Sequence, residues 1–477
     1  MTSNGIRPIL WLDQHLDLFF PPLDAAIFDS HLLQRVGELA ILYRSLFVSG
    51  LGPDRLMEDW RNEFHQYLVS DELAEVARKN PERSWAWLMP YFIIKELHGL
   101  IIDEHEKTLD YARDCGYPEV SEVVPYRRMD QHYFLSMRVG STLDIETLIK
   151  STSIASCVNL LAINREVAYS MTHTLFYTND FGLKIMPSDH SAHSFCVTLA
   201  ESLLFEHANN KDWDVLGELL ILAQCIESFN QDTLNFYVNL FQSKRSASGY
   251  TPPSDKTSSV ITDDLSREKL FDAVYHTTLV SALLDSSIFF TSKEAVDDFK
   301  LIGLPEMVCE SVVNTILEYR NNAVLYLNAV HEQGIPVSPI NSESLRPDIR
   351  GSNELELKNI LFDRELLIAC LSSHRQILLE GSVDMCSLAE SYARHGDIEV
   401  VLKVIEICPQ VTLTNPRWIA IIQFLFAQQK PDGSIGYFIR ESRQLAASNI
   451  DDLRISLTDV YVDAFDALLD RTLARAA

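Results

Sequence analysis

Apolar residues recur at three- and four-residue spacing along almost the whole chain, the period of a helix with one buried face. In SHLLQRVGELAILYRSLF, Ser30 to Phe47, the residues Leu32, Val36, Leu39, Leu42 and Tyr43 fall on one stripe behind a serine suited to capping. SDELAEVARKN (Ser70 to Asn80) and SREKLFDAVYHTTLVSALL (Ser266 to Leu284) repeat that grammar of cap followed by amphipathic run. WLMPYFIIKELHGLIIDEHEKTLDYARD, Trp87 to Asp114, holds the period for several turns, with Pro90 placed where a helix starts. Period-two alternation is rare, so the pattern predicts an all-α protein.

Two segments break the period. SKRSASGYTPPSDKTSSVITDD (residues 243–264) is rich in Ser, Thr, Pro and Asp and reads as a flexible loop or linker. GIPVSPINSESLRPDIRGSN (334–353) is irregular in the same way. The first break predicts an N-terminal helical half over 1–242 and a C-terminal half over 265–477, or one continuous array interrupted by a loop. The halves echo each other. ANNKDWDVLGELLILAQCI from Ala208 and ARHGDIEVVLKVIEICP from Ala393 each place an aspartate before an aliphatic helix. The offset between Ala208 and Ala393 also sets FQSKRSASGY, from Phe241, against FAQQKPDGSIGYF, from Phe426. Helical hairpins duplicated in this way stack, each burying the apolar face its neighbour exposes. The fold expected is an α/α-hairpin repeat, closed as a toroid or open as a toroid-like solenoid.

Composition agrees and narrows the partners. The chain of 477 residues is 47% hydrophobic with only 17 glycines, which favours filled helical cores. Its formal charge of −27 repels phosphate backbones and anionic lipid, and no basic stripe offsets it, so nucleic-acid and membrane partners are not expected. No apolar run of spanning length and no signal-like start is visible, and the eight cysteines are scattered without a CxxC pair. The expected setting is cytoplasmic with reduced thiols.

Candidate chemistry concentrates in MTHTLFYTNDFG, Met171 to Gly182. On a helix His173, Phe176, Tyr177 and Asp180 share one face, which suits either a pocket wall with an imidazole oriented by a carboxylate or a core histidine among filling rings. His173 and Asp180 are the catalytic candidates and Phe176 and Tyr177 pocket candidates. DHSAHSFC brings His190, His193 and Cys196 three residues apart. Those ligand types could bind zinc, although a further ligand is wanting and a polar helix start explains them equally. No cofactor is otherwise expected. Nucleophile elbow, phosphate loop and dinucleotide fingerprint are all missing.

Two resemblances extend this. QKPDGSIGYF resembles the Q-x-x-D-G-x-W-G-x-F repeat of the α/α-toroid superfamily, which includes terpenoid cyclases and protein prenyltransferase β chains. Gln429, Asp432, Gly433, Gly436 and Phe438 match its positions, and Ile435 stands where its tryptophan belongs. The resemblance implies a structural staple between helical hairpins. WLDQHLD (Trp11 to Asp17), THTLFYTNDFG, YHTTLV (Tyr275 to Val280) and the same C-terminal segment are together similar to an uncharacterised bacterial helical family, a domain of unknown function. That likeness implies a place near specialised-metabolite genes and no assigned activity. In a toroid, Tyr275 and His276 become further candidates for a central cavity; otherwise His276 is a satisfied core residue. Three readings follow: a cavity binding a small hydrophobic molecule or peptide, an enzyme of cyclisation or elimination using His/Asp acid–base chemistry, and a scaffold for another biosynthetic protein.

Overall fold

The computed structural model describes residues 6–20, 30–117, 119–139, 148–155, 160–186, 193–262, 264–294, 310–332, 363–373, 384–413, 415–430, 432–436 and 447–476. Among these the protein is all-helical, with only isolated bridges and no strand. The helices in order are α1 (Arg7–Gln14), α2 (Ser30–Ser49), α3 (Asp54–Leu68), α4 (Asp71–Lys79), α5 (Ser84–Trp87), α6 (Met89–His98) and α7 (Asp103–Asp114). Then follow α8 (Pro125–Val139), α9 (Arg165–Thr178), α10 (His193–Asn209), α11 (Trp213–Gln224), α12 (Gln231–Gln242), α13 (Asp255–Ser258) and α14 (Arg267–Glu294). The chain continues through α15 (Glu310–Glu332), α16 (Arg364–Ser373), α17 (Met385–Arg394), α18 (Ile398–Ile407), α19 (Pro416–Ala427) and α20 (Ala447–Ala476). Two compact units form: unit 1 holds residues 1–158, 163–200 and 210–297, and unit 2 holds 159–162, 201–209 and 298–477.

The predicted α2 stripe is buried at each described position, the Leu32 side chain lying outside those described. Val36, Leu39, Leu42 and Tyr43 of α2 are inaccessible or nearly so, and Ser70 caps α4 by accepting from the Leu73 N–H. The run from Trp87 to Asp114 is not one helix, however. It breaks at Gly99, whose φ of 67° ends α6 with a left-handed cap before α7 begins.

Unit 1 is built around α14, which packs against α1, α2 and α11. The stretch Arg267–Thr291 is long and apolar enough to cross a membrane by length and composition, and 67% of its most apolar window is buried within the protein. Small polar residues bring its neighbours close: Ser286 meets the Ser45 hydroxyl at 2.8 Å, and Thr278 accepts the Thr251 N–H at 3.0 Å.

The segment 243–264, expected as a linker, belongs to unit 1. Arg245 forms a buried ion pair with Asp285 at 2.8 Å, and Asp255 accepts from the Trp213 indole at 2.8 Å. Hydroxyl-rich sequence here signals local turns, and long-range pairs fix them.

Several local features occur in both units. Helix starts Trp213 and Ile398, and Gln231 and Pro416, keep the separation of Ala208 from Ala393. Asn230 and Asn415 cap the second helix of each pair. Before the first, Lys211 and Gly396 both take positive φ, 57° and 76°. Arg165 binds Asp212 and Asp214, and Arg364 binds Asp397 and Glu399. The turns that follow also match. Gly249 lies against the Arg7 carbonyl and Gly433 against the Asn322 carbonyl. Two residues beyond each glycine, the N–H of Thr251 donates to the Thr278 hydroxyl at 3.0 Å and that of Ile435 to the Thr458 hydroxyl at 2.9 Å.

Candidate functional site

Side chains from several helices of unit 1 line a common cavity of about 210 Å³. From α9 come Tyr169, His173, Phe176 and Tyr177; from α14 come His276, Leu279, Val280 and Leu283. Both sets keep helical face spacing, so the side chains stack along one wall. α2 contributes Glu38, and α11 contributes Glu218. Arg127 and Asp130 of α8, with Trp85 and Trp87 of α5, add to the polar and aromatic lining.

The electrostatic centre is Glu218, 1% exposed in the middle of the leucine-rich α11. A carboxylate there needs charged or donating partners. His173 Nδ1 lies 3.8 Å from Oε2, and His276 Nε2 lies 3.7 Å from Oε1, so two rings from distant sequence flank one carboxylate. Thr172 donates to Oε2 at 2.6 Å. His276 also reaches Glu38 at 3.1 Å through Nδ1 and Asp214 at 3.7 Å through Nε2.

The two histidines take opposite states. Burial works against protonation of His276, but Glu38, Asp214 and Glu218 overcome it and hold the pKa well above the ordinary value, favouring the imidazolium. For His173 burial dominates, Glu218 offsets it only in part, and the pKa falls below the ordinary value. Its Nδ1 lies 3.0 Å from the Tyr169 carbonyl. A neutral ring makes that contact as an N–H donor, leaving the lone pair on Nε2. Burial tends to raise the pKa of Glu218, but the two histidines and the Thr172 hydroxyl outweigh it and keep it low. At Asp130 burial prevails over Arg127 and pushes the carboxyl up to about 6.

Phe176, Tyr177, His173 and His276 all line this cavity. Asp180 does not. α9 ends at Thr178, and Asp180, Phe181 and Gly182 follow with φ of 55°, 54° and 91°, so the helical face stops before its fourth member. Asp180 is bound instead by Arg44 at 2.9 Å and by the Tyr133 hydroxyl. The carboxylate facing His173 is Glu218. Tyr275 also lies off the lining, packed on Phe271 with ring centroids 5.1 Å apart.

Of the three zinc candidates, His193 and Cys196 lie at the start of α10. His193 Nε2 contacts the Glu227 carbonyl at 2.9 Å, and burial pushes the Cys196 thiol up to about 12. His190 lies outside the described residues, among which no group of three or more His, Cys, Asp or Glu side chains is placed to hold a metal. In the C-terminal motif, Gln429 donates to the Tyr319 carbonyl at 2.9 Å and the Gly433 carbonyl at 3.0 Å. Asp432 accepts from Ser434 and pairs with Arg454 at 2.9 Å. Gly436 sits against the Lys430 and Arg454 side chains, and Phe438 lies outside the described residues.

Sequence reasoning did not single out Glu218, Glu38, Asp214, Arg127, Asp130 or Tyr169. One signal was present: a lone glutamate inside LGELLIL, where a carboxylate has no place without a partner.

The site therefore defines an all-helical protein with an aromatic cavity around a histidine–glutamate centre. The chain belongs to the DUF6895 family, a domain of unknown function, whose profile matches residues 7–286 and so includes every residue of the cavity wall. No curated protein and no solved structure matches the chain.

Proposed function

We propose that unit 1 is a receptor for a small molecule with an apolar or aromatic body, a short peptide side chain included. The observation that carries this is the cavity itself, in which rings and aliphatic chains surround a few convergent titratable groups. Ligand sites commonly combine an apolar wall with sparse, oriented polar groups. Repacking those faces into a solid core would have satisfied folding alone.

The matched caps, clamps and glycine turns support a further part of the reading: the helical hairpins of the two units descend from one repeat, arranged as α/α toroids or toroid-like solenoids are. The two copies differ at the centre of the cavity chemistry. At the offset that sets Trp213 against Ile398, Lys403 stands in place of Glu218.

Trp85 and Trp87 on the wall provide the test. Titration with 4-phenylbutan-2-one should change tryptophan emission saturably in the natural protein. Val280→Phe, which fills the cavity, should abolish the response while leaving the circular dichroism unchanged. An emission change of equal size in both proteins would place binding elsewhere and remove this reading.

A further inference from the structure

The geometry points to a specific chemistry in this cavity. We propose that His173 acts as a general base, taking a proton from a ligand carbon acidified by a neighbouring carbonyl, with Glu218 behind the ring to stabilise the imidazolium that forms. The inference rests on the cavity being a ligand site and adds the reaction class and the substrate class to it.

Three features lead there. First, the Nδ1 contact with the Tyr169 carbonyl fixes the tautomer, so the lone pair of Nε2 belongs to the group that lines the cavity. Second, a buried carboxylate stands 3.8 Å behind the ring, where it offsets the positive charge gained on proton transfer. His276, held by Glu38, Asp214 and Glu218, supplies the countercharge that keeps this carboxylate ionised before the proton arrives. Third, Arg127 lines the same cavity, and its pair with Asp130 is long, 3.4 Å. Its guanidinium offers N–H donors to an oxygen on which negative charge develops.

The step balances without a co-reactant. The C–H bond breaks, its proton passes to Nε2, and its electron pair moves into the carbonyl to give an enolate. The enolate oxygen takes hydrogen bonds from Arg127. Return of the proton to carbon, at the same atom or a conjugated one, completes an exchange or an isomerisation. A weakly basic imidazole suits an acidified C–H bound beside it, because proximity makes up for modest driving force.

The charged and titratable groups around His173 are Tyr126 and Arg127 from α8, Glu218 from α11, His276 from α14, Glu38 from α2 and Tyr169 from its own helix. Burial, Arg127 and His276 lower its proton affinity, whereas Glu218 raises it. The base form therefore persists to pH values below 6.5, the ordinary histidine value, and activity should rise through that lowered midpoint.

The experiment follows deuterium uptake at the carbons flanking the carbonyl of 4-phenylbutan-2-one in D2O by proton NMR, with binding read separately from tryptophan emission. The natural protein should exchange these protons above the buffer rate. His173→Gln, which keeps a donor for the Tyr169 carbonyl, should lower the rate at least about 100-fold, the usual scale of a general base. Glu218→Gln should shift the pH midpoint further down, whereas a purely structural role would lower the rate without moving the profile. Acylation of the natural protein with diethyl pyrocarbonate, which attacks neutral imidazole, should stop exchange, and hydroxylamine should restore it; this arm does not depend on how a variant folds. If the ketone binds but exchange stays at the buffer rate or survives His173→Gln, the proposal falls and the cavity remains a ligand site. If the ketone does not bind and Val280→Phe behaves like the natural protein, both fall together.

Discussion

Glu218 is surrounded on its own helix by Leu216, Leu219, Leu220, Ile221 and Leu222, all inaccessible, so its charge depends wholly on partners from other helices. His276 is the partner that carries the positive charge. Replacing it with glutamine leaves Glu38, Asp214 and Glu218 close together without that charge, and because the ring is part-exposed a loss of about 1–3 kcal/mol is expected. The pH dependence has a definite sign. Because the folded pKa of His276 is raised, its stabilisation is complete below 6.5 and fades as pH rises through the folded value. Urea unfolding at successive pH values should show this alkaline decline in the natural protein and its absence in His276→Gln. A variant as stable as the natural protein near pH 6 would remove His276 from the centre of the cluster.

At the level of elements, turns decide as much as helices do. Gly249 and Gly433 have φ of 109° and 87°, and an added Cβ would come within 2.5 Å and 2.2 Å of a backbone carbonyl oxygen on another helix. Gly99 also has positive φ, 67°, but open space around it. Alanine at Gly99 should therefore cost about 1 kcal/mol through conformation alone. Alanine at Gly249 or Gly433 adds a clash and should cost about 2–4 kcal/mol. Chemical denaturation of the three variants tests this, and equal losses at all three would contradict the close approaches. The turn after α9 has the same character. Asp180 and Phe181 occupy the left-handed region, which L side chains rarely adopt. Phe181 thereby reaches the cavity wall, and Gly182 lies within close contact of Ser287 on α14.

Across the whole molecule the net charge of −27 opposes compaction. Raising NaCl from about 20 to about 500 mM shortens the screening length several-fold and should raise Tm by a few degrees. A falling Tm would mean that favourable pairs such as Arg44 with Asp180 and Arg245 with Asp285 outweigh the general repulsion. Those pairs show how long-range ionic contacts hold the segments that lack a helical stripe.

Helicity was legible in the amino-acid sequence, because apolar spacing records which face of each element meets a core. The sequence marked Ser70 as a cap, Pro90 as a start, and His173, Phe176 and Tyr177 as one face, since these are local relations within a few turns. It could not tell that Gly99 stops a helix within an unbroken period, because Gly99 and its neighbours fit both outcomes until tertiary contacts choose. The pairing of His173 with Glu218 rather than Asp180 was decided only in three dimensions. Asp180 would fall on the His173 face of an ideal helix, but the chain leaves that helix at Thr178, and a carboxylate from α11 enters the space instead. The meeting of His173 with His276 was equally hidden. Helical periodicity gives the face of each element and says nothing of which faces the packing of several helices will bring together.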